Sequence, residues 1–307
     1  MATAFITHAD CSLHDMGAHH PECPARLCAI NDRLIASGID AYLDFHDAPP
    51  ATDEHILRAH DPVYLQHLRD SVPEYGTHHL DPDTAMNPRT LDAALHAAGA
   101  GVLATDLVIS GQADNAFCAV RPPGHHAGRA KAMGFCLLNN VAIAALHALE
   151  AHGLQRVAVV DFDVHHGNGT EDILQAEPRA MMASIFQHPF YPYSGTEDVP
   201  AHWANVPVKA GLRGADFREV VTTRWLPALQ AFAPEMLFIS AGFDAHYEDD
   251  MASCGLVEDD YAWVTGELRR FAERQCRGRI VSMLEGGYAL SALGRAAVAH
   301  VRALADL

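Results

Sequence analysis

Residues 161–170 read DFDVHHGNGT, with acidic or imidazole side chains at alternate positions 161, 163 and 165. Asp163 and His165 project from the same side of an extended segment, because side chains two apart on a strand share a face. Asp244, in GFDAH at 242–246, comes from a separate stretch of chain. Two carboxylates and one imidazole with a fourth position left open form the ligand pattern of a catalytic zinc site. The pair of carboxylates also makes the set hard enough for Fe(II) or Co(II). An isolated Asp-x-His is commonly a salt-bridged surface pair. Here the run RVAVV precedes it, so the group sits at the end of a buried strand, where a carboxylate without a cation or donors is costly. Asp161 should lie deeper on the same strand, either orienting a histidine or helping to bind a second cation.

Acid–base chemistry is offered by RPPGHH at 121–126. Two prolines and a glycine fix a rigid loop. His125 and His126, side by side near a dication, can hold different protonation states, one accepting a proton and the other donating or acting through its charge. Asp161 and Asn168 are available to support them. An aspartate keeps its histidine charged, whereas an asparagine leaves it closer to neutral. The dipeptide also occurs at 19–20 and 78–79, without the Pro-Pro-Gly frame, and both are expected in surface loops without a catalytic role. EGGY at 285–288 puts Tyr288 after a Gly-Gly turn, where a phenol can be aimed at a developing oxyanion.

The elements that must position these groups follow a strand-then-helix rhythm. Buried strands are expected near residue 5 and over 115–120, 156–163, 181–186, 235–244 and 279–287. Helical spacing of Ala and Leu marks 91–109, 137–152, 216–232, 257–275 and 292–304. Alternation of this kind implies an α/β fold, a mainly parallel sheet flanked by helices on both faces, in a single domain spanning 1–307. Ligands of such sheets bind beyond the carboxyl ends of the strands. Four polar clusters fall at four of those ends, so they converge on one edge.

The chain has 307 residues and a formal charge of −18. That balance argues against nucleic acid as a partner and favours a cationic substrate. Seven cysteines without a CxxC pair point away from a disulfide framework and from a cysteine-ligated zinc. No stretch is expected to reach a membrane span and the N-terminus reads as a strand, which together suggest a cytoplasmic protein. GAG at 99–101 lies in a helical stretch and lacks the third glycine of a dinucleotide fingerprint.

Taken together, HPECPARL (20–27), DPDTAMNPRTLDAALHAAG (81–99), RPPGHHA (121–127), GFCLLNN (134–140), DFDVHHGNGT (161–170), FYP (190–192), AGFDAH (241–246) and EGGY (285–288) resemble, in order and over nearly the whole chain, the zinc-dependent histone deacetylase family. The likeness is to its class II-like and bacterial amidohydrolase branch, which includes acetylpolyamine amidohydrolases. The resemblance implies the arginase/deacetylase fold and one zinc ion per chain on Asp163, His165 and Asp244. It implies His126 as general base, supported by Asn168, with His125 as its partner, supported by Asp161, and Tyr288 as the transition-state tyrosine. It further implies a structural potassium on Asp161, Asp163, His165, Ser184 and the carbonyl of Ile185. Phe135 and Tyr191 match the walls of an acyl-lysine channel, Asp83 a rim aspartate, and Gly134 and Gly286 further substrate-side positions. Arginases share the fold but need extra carboxylates, and here Gly167 and His246 stand two residues after His165 and Asp244, which disfavours a binuclear site.

The activity so implied is hydrolysis of an acetylated or acylated lysine or amine by a metal-activated water. The first alternative is an acetylpolyamine or other small-molecule deacetylase. The second is a non-catalytic acyl-lysine module, against which the intact histidine pair and Tyr288 speak. None of these patterns fixes the oligomeric state.

Overall fold

The computed structural model describes residues 2–197 and 199–307. Eight strands form one sheet: β1 (Thr3–Thr7), β2 (Leu43–Asp47), β3 (Asn115–Cys118), β4 (Val157–Asp161), β5 (Ala180–Gln187), β6 (Ala204–Val208), β7 (Met236–Ala241) and β8 (Ile280–Leu284). Their order is β2-β1-β3-β8-β7-β4-β5-β6. Every neighbouring pair is parallel. The central strands are Val-, Ile-, Met- and Ala-rich because both faces are covered.

Adjacent residues of β8 show the two faces. A side chain at Gly101, in helix Thr90–Ser110, would meet Met283. Ser282, pointing the other way, bonds His300 Nε2 at 2.8 Å from helix Leu290–Leu304. Helices therefore flank the sheet on both sides, and the fold class is the one expected. Helix Thr90–Ser110 corrects one reading: its 21 residues are long and apolar enough to cross a membrane by length and composition, yet most of that surface is buried within the protein. The GAG triplet serves packing here, since a Cβ on Gly99 would collide with the backbone of Pro49 and Ala51.

Both sheet edges went unread. β2 (LDFHD) is mostly exposed and carries Asp44 and Asp47, and β6 (ANVPV) contains Pro207, which suits an edge strand. His78–His79 forms a two-residue ladder with Ala85–Met86 and not a plain loop. Helices Ala25–Ser37, Asp53–Ile56, Pro62–Asp70 and Asn168–Leu174 add to those expected.

Candidate active site

Because all eight strands run the same way, their carboxyl ends share one edge. Asp163 and His165 follow β4, Asp244 follows β7, Tyr288 follows β8, and His125 and His126 lie on the loop after β3. The ligand atoms of Asp163, His165 and Asp244 all lie within 4.8 Å of one another, and all three residues are buried. His165 Nδ1 is 3.0 Å from Asp163 Oδ1 and 3.1 Å from Asp244 Oδ2. The outer oxygens are held by backbone: Gly286 N–H donates to Asp163 Oδ2 (2.8 Å) and Val164 N–H to Asp244 Oδ1 (3.0 Å).

This donor set fits a divalent cation. Burial pushes the Asp244 carboxyl up, and the neighbouring Asp163 adds to that, to about 6. Burial alone would depress His165, but its bonds to Asp163 and Asp244 outweigh it and raise the imidazole to about 10. Two buried carboxylates facing one ring nitrogen make a strongly cation-seeking field. Gly286 backs that field and does not line the pocket above it: a Cβ there would meet Asp244 Oδ2 at 2.2 Å and Asp163 Oδ2 at 2.6 Å. Its expected place on the substrate side is corrected accordingly.

The two histidine rings lie 4.0 Å apart with unlike supports. His125 Nδ1 is 3.0 Å from Asp161 Oδ2, and burial is outweighed by Asp163 and Asp161, which raise His125 to about 10. His126 Nδ1 donates to Asn168 Oδ1 at 2.7 Å, and Nε2 has no hydrogen-bond partner among the described residues. Burial, with the positive His125 and His165 nearby, holds His126 well below the usual imidazole range. One ring thus carries charge while its neighbour is a free base. Glu285, not foreseen, clamps their loop: its Oε2 accepts from Gly124 N–H (2.7 Å) and His125 N–H (3.0 Å), and burial raises it to about 7.

Tyr288 stands at the pocket with its ring 5.8 Å from Phe135, edge to face. The Arg26 guanidinium lies 4.9 Å from its centroid, and Arg26 Nε donates to Gly287 O at 2.7 Å. Burial lifts the phenol well above its ordinary range, although Arg26 opposes this, so the hydroxyl stays a donor. Arg26 belongs to a fully buried group with Glu22, Arg121 and His14. Glu22 pairs with Arg26 at 3.0 Å and with both Nε and Nη2 of Arg121. The four-residue spacing of Glu22 and Arg26 in HPECPAR was the available signal. Burial would raise the Glu22 carboxyl, but Arg121, His14 and Arg26 hold it well below the usual range. Glu22→Gln is expected to lower stability by about 3–5 kcal/mol, since it strands buried guanidinium charge. A depressed folded pKa stabilises above the unfolded value, so urea denaturation should show this gap intact above about pH 5 and narrowing as the pH falls below about 4.3.

The pocket over these groups has a volume of about 220 Å³. Phe135 and Tyr191 line it as expected, and so do Asp83 and Gly134; Phe190 and Met251 were not anticipated. Gly134 adopts φ 57°, and a Cβ there would strike the His126 ring. Asp83 Oδ1 accepts from Gly134 N–H at 3.0 Å, which anchors that wall. Phe190 stacks on His165, and Tyr191 meets His126 edge-on. His20, read as idle, packs edge-on against Phe135 at 4.6 Å. Ser184 is the register partner of Asp161, and its buried hydroxyl has no protein partner among the described residues. A larger hollow of about 430 Å³, lined by Arg33, Arg295 and Arg302, holds none of these groups. A second His/Asp triad is already satisfied by hydrogen bonds: His147 and His152 both reach Asp106 Oδ1 at 2.7 Å.

The histone deacetylase domain model matches residues 20–304. A histone deacetylase-like amidohydrolase of Pseudomonas aeruginosa is 36% identical, covering 93% of this chain and 81% of its own. A probable deacetylase of Archaeoglobus fulgidus is 33% identical over 94% of this chain and 82% of its own. The human polyamine deacetylase HDAC10 is 33% identical over 99% of this chain, which spans about half (48%) of that protein. Among solved structures, the HD domain of HDA15 superposes with a TM-score of 0.93 at 33% identity, covering 99% of this chain and 88% of that one. The chain belongs to the histone deacetylase family, as a hydrolase of the deacetylase and amidohydrolase type.

Proposed function

We propose that this chain hydrolyses the amide of an acetylated or acylated lysine, or of a related acetylated amine, with one zinc ion held by Asp163, His165 and Asp244. The observation that carries the reading is the meeting of that triad, Nε2 of His126 and the Tyr288 phenol around a single narrow pocket. When bound, the ion polarises the acyl carbonyl and acidifies the attacking water. His126 Nε2 takes the proton of that water. His125, kept charged by Asp161, supplies positive charge beside it, and a protonated histidine of the pair then donates to the leaving amine. The Tyr288 hydroxyl donates to the developing oxyanion. Phe135, Phe190, Tyr191 and Met251 give the channel apolar walls suited to an alkyl stem. A potassium ion would be held by Asp161, Asp163, His165, Ser184 and Ile185; the unpartnered Ser184 hydroxyl supports this.

An acetylpolyamine is the second reading. Asp83 at the pocket and the charge of −18 suit a substrate with further ammonium groups. A panel of acetyl-lysine peptides, longer acyl-lysines and acetylpolyamines, run before and after metal removal and zinc restoration, tests the proposal. Undiminished amide cleavage by the stripped protein would overturn it. Tyr288→Phe is expected to lower kcat by about 10²–10³-fold, the scale of one oxyanion donor, with the metal content of the protein unchanged.

A further inference from the structure

We infer that Asp249 is a positioning residue for Tyr288, an inference that rests on the role proposed above for that tyrosine. Asp249 lies five residues beyond Asp244, on the loop after β7, and is buried. Its Oδ2 accepts two backbone bonds, from Tyr288 N–H at 2.6 Å and from Ala289 N–H at 2.9 Å. Its Oδ1 accepts from Met251 N–H at 3.0 Å. Among the described residues no cation pairs with it. Three charge-assisted bonds from backbone N–H groups hold this buried carboxylate, and through it the donors, in one fixed place.

What that geometry fixes is the root of the tyrosine. Arg26 and Phe135 confine the ring, and Arg26 holds Gly287 O on the preceding peptide. Among the described residues, only Asp249 accepts the N–H of Tyr288 itself. The same carboxylate ties down Met251, so one side chain sets two walls of the pocket. An oxyanion donor works over a narrow range of distance, and a displacement of about 1 Å transmitted from outside the reacting atoms costs about 10²-fold in rate. Asp249 also lies at the start of helix Leu290–Leu304, whose N-cap Ala289 has no capping side chain. A purely capping role would lower stability without acting through the phenol.

A double-mutant cycle separates these. Asp249→Ala is expected to lower kcat on an acetyl-lysine peptide by about 10- to 100-fold. KM should stay within about threefold, with metal content as in the parent. Asp249→Asn should fall between, because its amide oxygen can still accept from Tyr288 and Ala289 N–H. In a Tyr288→Phe background, either substitution should cost no more than about twofold in kcat, whereas a loss acting through the Met251 wall would persist there. Equal losses in both backgrounds, or an unchanged kcat in Asp249→Ala, would overturn the inference. If Asp249→Ala does not fold, Asp249→Asn and its double variant carry the same comparison. Full activity of Tyr288→Phe alone would instead remove the role proposed for the tyrosine.

Discussion

Asp244→Ala is expected to remove the metal and the activity together. In the proposed site it is one of three ligands, and it arrives from the end of β7 while the other two come from the segment after β4. Loss of a mere outer-shell partner costs about 10–100-fold in metal affinity, so loss of a direct ligand should exceed about 100-fold. Metal analysis after dialysis should show one zinc per chain in the parent and almost none in the variant, and activity should drop to the level of the chelated parent. Normal metal content in Asp244→Ala would place the ion elsewhere. Its thermal transition should also stop responding to added zinc, because an ion that binds only the folded state stabilises it by mass action.

His126→Ala should cost about 10²–10⁴-fold in kcat, the span of a positioned general base, while metal content stays at the parent level. The pH profile offers a sharper check. Burial, with the charged His125 and His165 nearby, depresses His126, and its bond to the neutral Asn168 offsets this only in part. Asn168→Asp would put an anion against Nδ1 and favour the protonated ring. The acid limb of kcat/KM should therefore move to higher pH, by about one to three units. An acid limb unmoved by that substitution would show that another group takes the proton.

Much of this site could be read in advance because its chemistry is local. DFDVHH, RPPGHH and EGGY each place several functional groups within a few residues, directly after apolar runs that announce strand ends. The supporting groups were hidden for a physical reason. Glu22 and Arg121 are 99 residues apart, and charged residues by type belong on a surface; only the folded chain shows them wholly buried together. Asp249 sits in the acidic run EDD, which reads as solvated surface, and its partners are backbone amides that no side-chain pattern encodes. β2 and β6 went unread because edge strands, covered less completely, lack the continuous apolar run of the centre. FYP offers two adjacent aromatics with nothing local to choose between them, and both Phe190 and Tyr191 line the pocket.

The strand order has a consequence for biosynthesis. Strands β2, β1 and β3 come from the first 118 residues, while β7, β4, β5 and β6 come from 157–241. The two blocks share no ladder until β8, residues 280–284, slots between β3 and β7. A ribosome making this protein emits the keystone after both half-sheets are out, so each waits with an unpaired inner rim open to wrong neighbours. Translation arrested before residue 280 should yield nascent chains that recruit holdase chaperones, with release coming only once the closing segment has cleared the exit tunnel.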